Sequence, residues 1–334
     1  MAINLSAYKN IAIINFHHIG DTVCNFSLFK YCRLQAPQAK ITVFLGKENG
    51  VLAPWIDGCD EVIIVPITSK ERRYCSIIKF ALKYRKKFDL VICGLEPRKY
   101  IHIFMGILGA ETSIAYIENT WHSKLINSGV LYDDPLQRTR HNALQMLNVV
   151  ANYEELPDEL RPRITIPPAI KQQFLPQILA QLGDKIFAPR LLISVTNNRP
   201  SCTIDFDRYC FLFNELKKTF NFSVIISSLQ RDMARAQQLA ALLPVPAVPV
   251  MTPDFSEFLT LLDWVDGCFL GDGGIVHLAA ALDKPQLVLL GKVSPIEWWP
   301  LSKKTQCLSH PENVNQLDKK IIMIELSNLL KQVS

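Results

Sequence analysis

The sequence predicts an α/β protein made of two doubly wound, Rossmann-like halves. Three observations predict it. Short apolar runs alternate with helical segments, first over residues 11–116 and again over 191–290, as parallel strands joined by helices do. A proline-rich interval, with Pro157, Pro162, Pro167 and Pro168 among charged residues, separates the two stretches. The chain is 334 residues long and 49% hydrophobic, enough for about two cored domains.

Residues 11–16 are apolar and form a first buried strand, turned by His17-His18-Ile19-Gly20. A helix is expected from Asp21 to about residue 35, ended near Pro37. Strands follow at 41–45 and 62–65. A long basic helix leads to a strand at 90–93, and 113–116 is a candidate fifth. Residues 141–151 look helical. The second half opens with a strand at 191–195, a polar loop at 196–203 and a helix at 206–220. A strand at 222–226, a helix at 231–243, a short strand at 247–248 and a helix at 255–262 come next. Residues 268–270 and 286–290 are strands around a small-residue helix, and 319–333 is a closing amphipathic helix. The expected division is a domain at 1–156, a linker at 157–190 and a domain at 191–334. Two such halves place a cleft between them, on the side of the strand C-terminal ends, where ligands of parallel sheets bind.

Composition narrows the function. Charged residues make up 20% of the chain, too few for disorder, and the net charge of +5 does not demand nucleic acid. It is compatible with an acidic substrate or a membrane surface. No apolar run reaches the roughly 18–20 residues of a spanning helix. The first nine residues are too short and polar for a signal peptide. Nine scattered cysteines with no C-x-x-C pair suggest reduced thiols in a cytoplasmic protein, and no Cys/His spacing suggests zinc.

The most informative stretch is Gly271-Asp272-Gly273-Gly274, followed by Ile275-Val276-His277 and the run Leu278 to Leu282. Glycines at a strand-to-helix turn let a ligand approach the backbone, and the helix start offers N–H groups to a phosphate. The same residues also suit a tight turn capped by Asp272. At the first turn, Asp21 is either a base facing the cleft or a helix cap. No G-x-G-x-x-G stands there, which argues against a Rossmann oxidoreductase.

Three groups of residues together resemble the lipopolysaccharide heptosyltransferases, glycosyltransferase family 9. They are Asp272-Gly273-Gly274 with His277, Leu278-Ala279-Ala280-Ala281-Leu282, Lys284-Pro285 and Gly291; Ile19-Gly20-Asp21; and Phe88-Asp89-Leu90-Val91-Ile92 with Gly109-Ala110. The resemblance covers most of the chain. It implies a GT-B fold, two Rossmann-like domains facing across a cleft, and a closing helix able to pack back on the first domain. It implies inverting transfer without metal or other cofactor. It also implies an ADP-L-glycero-β-D-manno-heptose donor and an acidic Kdo-lipid A acceptor. Three positions depart from the family: Gly273 replaces its Thr or Ser, Ser27 its usual Pro, and no Lys stands in the loop after residue 195, where Arg199 is the closest cation.

On this reading Asp21 is the base. The donor is held by Thr196, Asn197, Arg199, Asp232, Asp272, Gly273, Gly274 and His277; loop solvation or capping explains Thr196, Asn197, Arg199 and Asp232 equally well. No acidic D-x-D pair stands in a suitable loop. Trp298 and Trp299 line the donor pocket or pack in the core. Lys70, Arg72, Arg73, Lys79, Lys83, Arg85, Lys86 and Lys87, extended by Arg98 and Lys99, suit a phosphorylated acceptor and peripheral contact with the cytoplasmic face of the inner membrane. The alternative for that run is a solvated helix face. Two rival functions remain: transfer from another sugar-nucleotide, and a non-catalytic module binding sugar-nucleotide or lipid.

Overall fold

The computed structural model describes residues 3–67, 74–132 and 139–334. Lys70, Arg72 and Arg73 lie outside the described residues. The chain divides into two compact units, Met1–Pro162 and Arg163–Ser334.

In the first unit, β1 (Asn10–Asn15), β2 (Lys40–Leu45), β3 (Glu61–Ile64), β4 (Leu90–Cys93), β5 (Thr112–Ile117) and β6 (Ser128–Leu131) form a parallel sheet in the order β3-β2-β1-β4-β5-β6. The second unit repeats this with β7 (Arg190–Ser194), β8 (Ser223–Ser228), β9 (Ala247–Met251), β10 (Gly267–Gly271), β11 (Gln286–Leu290) and β12 (Thr305–Ser309), in the order β12-β11-β10-β7-β8-β9. In each sheet the chain winds outward from the first strand, then returns to pair the fourth strand with the first. That reversal opens a crevice beside the C-terminal end of the first strand.

Ten of the twelve strands are where apolar runs predict them, because strands covered by helices on both faces must be apolar throughout; the edge strands β6 and β12, partly exposed, carry no such run. Leu90–Cys93 and Gln286–Leu290 are buried along their whole length. The second core gathers Tyr209, Phe213, Phe222 and Phe269; the first centres on Phe44, whose ring meets Phe88 and Phe104 edge-on.

Three further segments differ from expectation. The single helix expected at 21–35 is two, α1 (Ile19–Cys24) and α2 (Phe26–Gln35), divided at Asn25. The segment expected as a linker at 157–190 contains a helix, Pro168–Leu182, in the second unit. Its prolines read as a connection. Yet Pro168 occupies the first helical position, where a missing N–H costs nothing and the fixed φ helps. The helix expected at 141–151 is shorter, Asn142–Leu147. The closing helix, Lys319–Val333, packs on β10 and β11 of its own unit.

Candidate active site

The second unit gathers most of the expected donor residues at the C-terminal edge of its sheet. Thr196, Asn197 and Arg199 follow β7, Asp232 follows β8, and Asp272 and Gly273 follow β10. The crevice between β7 and β10 is bridged by Asn197, whose Nδ2 donates to the Asp272 carbonyl at 2.8 Å. Its Oδ1 accepts from the Arg199 N–H at 2.9 Å. Arg199 reaches back to pair with the Asp272 carboxylate. Thr196 Oγ1 donates to Asp232 Oδ2 at 2.7 Å and accepts from the Leu229 N–H at 3.1 Å. Asp232 also lies 3.3 Å from Arg231 Nε. Each of these residues therefore holds another in place.

Two glycines let this loop sit on the strand ends. A Cβ on Gly271 would stand 1.8 Å from the Cys202 carbonyl oxygen, and one on Gly291 would stand 2.1 Å from that of Ser201. Gly273 differs: its backbone is extended, and an added Cβ would find only Asn197 Nδ2 at 4.0 Å. It is the N-cap of the Gly274–Ala281 helix and provides no side-chain cap. The helix start therefore presents N–H groups to any anion in the crevice.

Asp272 and His277 are placed differently from the expected ligand contacts. Asp272 is 1% exposed and turned toward Arg199, whereas the Arg199 side chain is 48% exposed. Only one guanidinium nitrogen meets the carboxylate in that pair, and the remaining donors of the fork suit a second anion. The Asp272 charge reinforces burial in pushing up the Cys307 thiol. His277 is buried inside the helix, and its ring meets that of Trp298 edge-on at 5.9 Å.

Asp21 sits at the C-terminal edge of the first sheet, just after β1. It is the third residue of α1; the N-cap is His18, so Asp21 is not the cap. His17 Nδ1 lies 3.6 Å from Asp21 Oδ2, both side chains being largely covered. Beneath them Asn49 clamps the turn. Its Nδ2 donates to the Asn15 carbonyl at 2.9 Å and to Thr22 Oγ1 at 2.8 Å, and its Oδ1 accepts from the Gly46 N–H at 2.8 Å. Thr22 in turn donates to the His18 carbonyl at 2.9 Å. Asn49 and Thr22 carry no sequence signal for this role, since Asn49 lies 34 residues from the Asn15 it holds.

The basic run is divided by the sheet. Arg98 occupies the N-cap position of α4 (Lys99–Leu108) without a side-chain cap, on the edge that carries Asp21, and pairs with Glu96. Lys83, Arg85, Lys86 and Lys87 come at and after the end of α3 (Tyr74–Lys83), just before β4 begins. They are therefore at the opposite edge, as the bond from the Lys86 N–H to the Leu108 carbonyl confirms. A helix parallel to the sheet carries its two ends to opposite edges, which spacing along the chain does not reveal.

A hollow of about 510 Å³ lies at the opposite, N-terminal edge of the second sheet. Its three cations are already engaged: Arg190 makes two 2.8 Å bonds to Asp266, Lys171 lies 2.5 Å from Asp263, and Lys284 Nζ donates to the Val265 carbonyl at 3.0 Å. Chemistry places the candidate site at the strand C-terminal ends, not in this hollow. Among the described residues no cluster of His, Cys, Asp or Glu is arranged to hold a metal ion.

Comparison with known proteins agrees with this geometry. The profile of glycosyltransferase family 9 (heptosyltransferase) matches residues 132–325. Lipooligosaccharide heptosyltransferase 2 of Haemophilus influenzae is 23% identical over 88% of this chain and 87% of its own length. The crystal structure of the glycosyl transferase family 9 from Veillonella parvula DSM 2008 superposes with a TM-score of 0.82 at 15% identity, covering 99% of each chain. The E. coli heptosyltransferase WaaC with ADP superposes with a TM-score of 0.72 at 14% identity, covering 96% of this chain and 99% of that one. The two Rossmann-like units are thus those of a GT-B glycosyltransferase, and the chain belongs to glycosyltransferase family 9 (heptosyltransferase).

Proposed function

We propose that the protein transfers heptose from ADP-L-glycero-β-D-manno-heptose to the lipopolysaccharide inner core, on a Kdo-lipid A or heptosyl acceptor. The observation that carries this reading is the set Thr196, Asn197, Arg199, Asp232 and Asp272, joined across the ends of β8, β7 and β10 beside a bare helix start. The ADP held by the E. coli relative supports a nucleoside diphosphate there.

In the proposed reaction the Asp21 carboxylate takes the proton of the acceptor hydroxyl. That oxygen attacks the anomeric carbon from the face opposite the diphosphate. The carbon–oxygen bond to phosphate breaks, the configuration inverts, and ADP leaves with the electron pair. The N–H groups of Gly274 and Ile275 and the solvent-facing donors of Arg199 stabilise the charge that develops, with no metal required of the protein. Arg199 takes the part the family gives to Lys. Asp232, oriented by Thr196, accepts from the ribose hydroxyls. A lipid-linked acceptor brings the protein to the cytoplasmic face of the inner membrane.

Gly273 favours a second reading. With no hydroxyl at this position, one contact the family makes to the donor phosphate is missing, and a different sugar on the same nucleotide is the alternative. Calorimetric titration with ADP, UDP and GDP, followed by transfer from a panel of sugar-nucleotides, tests both. We expect ADP to bind selectively and Gly274→Val to weaken it about tenfold or more, roughly 1.4 kcal/mol, with little change in thermal midpoint. If ADP does not bind, the donor site is misassigned. If ADP binds and a hexose is transferred, the second reading holds.

A further inference from the structure

α3, α4 and a 3-10 segment, Trp121–Leu125, form one layer against the first sheet, with α4 in the middle. Gly106 of α4 allows the close fit: a Cβ there would stand 3.1 Å from that of Leu125. Ile77 and Ala81 fill the inner face of α3. The outer surface is unusual in two respects.

First, it leaves large apolar side chains in water. Tyr74, Ile78 and Leu82 recur every four residues along α3 and are all exposed, Leu82 by 50%. Trp121 is 58% exposed and Leu125 is exposed beside it. Second, its charge has one sign. None of the residues in the three elements is Asp or Glu, while Lys79, Lys83, Lys99 and Lys124 are all exposed. Glu96, Glu111 and Glu118 belong to the adjoining loops. Lys99 joins the two features, its Nζ lying 5.6 Å from the Tyr74 ring centre and 5.3 Å from that of Trp121. At the far end of the layer Arg85, Lys86 and Lys87 extend the cationic surface.

We propose that this layer is a membrane-docking face whose occupant is the headgroup region of an anionic phospholipid bilayer. Trp and Tyr side chains settle at a membrane–water interface, and lysines with long apolar stems reach from it to anionic headgroups. A soluble acidic sugar would match the lysines but leave Ile78, Leu82 and Leu125 in water. A second copy of the chain, docked by the same face, would set lysine against lysine. The face runs from one sheet edge to the other, too broad for one sugar. No helix among the described residues is long and apolar enough to cross a membrane, so contact is at the surface. The start of α4 and Asp21 share one sheet edge, so docking brings the proposed base toward the bilayer. The inference rests on the reading above only for its purpose, access to a lipid-linked acceptor.

The test is sedimentation of the full chain with phosphatidylcholine vesicles, with and without phosphatidylglycerol, beside quenching of tryptophan fluorescence by brominated lipid. We expect at least ~tenfold tighter binding to the anionic vesicles. Joint Lys79→Glu and Lys124→Glu substitution should weaken it at least ~tenfold. Joint Ile78→Ser, Leu82→Ser and Trp121→Ser substitution should remove both binding and quenching. These apolar side chains are exposed, so folding is preserved, and turnover on a water-soluble, delipidated acceptor should match wild type. Equal binding to neutral and anionic vesicles, or variants that bind like wild type, would overturn the proposal. So would a dimer, seen by sedimentation velocity, that Trp121→Ser separates. A chain that docks as described but transfers no sugar even to the soluble acceptor defeats the glycosyltransfer reading and leaves docking intact.

Discussion

The two sheets share one strand order, yet their C-terminal edges are organised differently. At the second edge polar residues from three strand ends tie to one another: Asn197 to Asp272, Arg199 to Asp272 and Thr196 to Asp232. Bare glycines let the loop approach the strands. At the first edge the hydrogen bonds run inward, from Asn49 to the turn, and brace the short helix that carries Asp21. A preorganised polar net that holds Arg199 beside a helix start suits a diphosphate, whose charge is present before and after reaction. A single acid on a braced turn suits a group that gains and loses one proton. One topology thus supports two kinds of chemistry through the residues that follow its strands.

The largest expected effect tests that contrast directly. Asp21→Asn keeps the side-chain size and removes the basicity. Turnover with saturating donor and acceptor should fall about 10²–10⁴-fold, while ADP affinity and the unfolding midpoint stay near wild type. A variant within about twofold of wild type, well outside that range, would mean that the base lies elsewhere. The reciprocal substitution Asp272→Asn should act on donor affinity and stability, because its buried carboxylate holds Arg199.

The next effect separates two glycines within the donor loop. Gly271→Ala drives a Cβ into the Cys202 carbonyl and should cost about 1–3 kcal/mol of stability, with weaker ADP binding. Gly273→Ser has room and needs no unusual backbone, so its stability should stay within about 0.5 kcal/mol of wild type. Urea unfolding of both variants reads the difference. Equal losses would mean that the loop does not rest on β10 as described.

The smallest effect belongs to the first unit and depends on pH. His102 Nε2–H donates to the Tyr116 carbonyl at 3.0 Å, and its Nδ1 faces His122 Nδ1 at 3.0 Å. Burial, then the charge of His122, pushes the His102 imidazole down to about 4 from an ordinary 6.5. The folded state therefore prefers the neutral ring. The resulting stability is complete above pH 6.5 and is lost as pH falls toward about 4. His102→Gln should reduce the stability difference between pH 7 and pH 5 by about 1–2 kcal/mol in urea unfolding. An unchanged difference would show that the ring is solvated in the folded state as it is in the unfolded chain.

Several features were legible from local pattern alone. Buried parallel strands are continuous apolar runs, so β2, β4 and β11 stand out in the sequence. β6 did not, because an edge strand such as Ser128–Leu131 is short and largely exposed, and its Ser and Gly do not mark a core. The Pro168–Leu182 helix was hidden by prolines that prevent a helix in its interior but suit its start. At the site, the glycine loop and Asp21 were visible from the turn each occupies. The roles of Asn49, Cys202 and Ser201 were not, since each acts on backbone distant in sequence.

The sequence by itself determined the alternation of strand and helix, the repeat of that alternation, and the residue types after each strand, because these depend on neighbours a few positions apart. Only the tertiary structure decided that β1 lies beside β4 and β7 beside β10. That choice brings Asn197 to Asp272 across 75 residues and sends Arg85, Lys86 and Lys87 to the edge away from Asp21. The physical reason is that strand order is chosen by the joint burial of both sheet faces and the handedness of the crossovers, which act over the whole domain and leave no period in the chain.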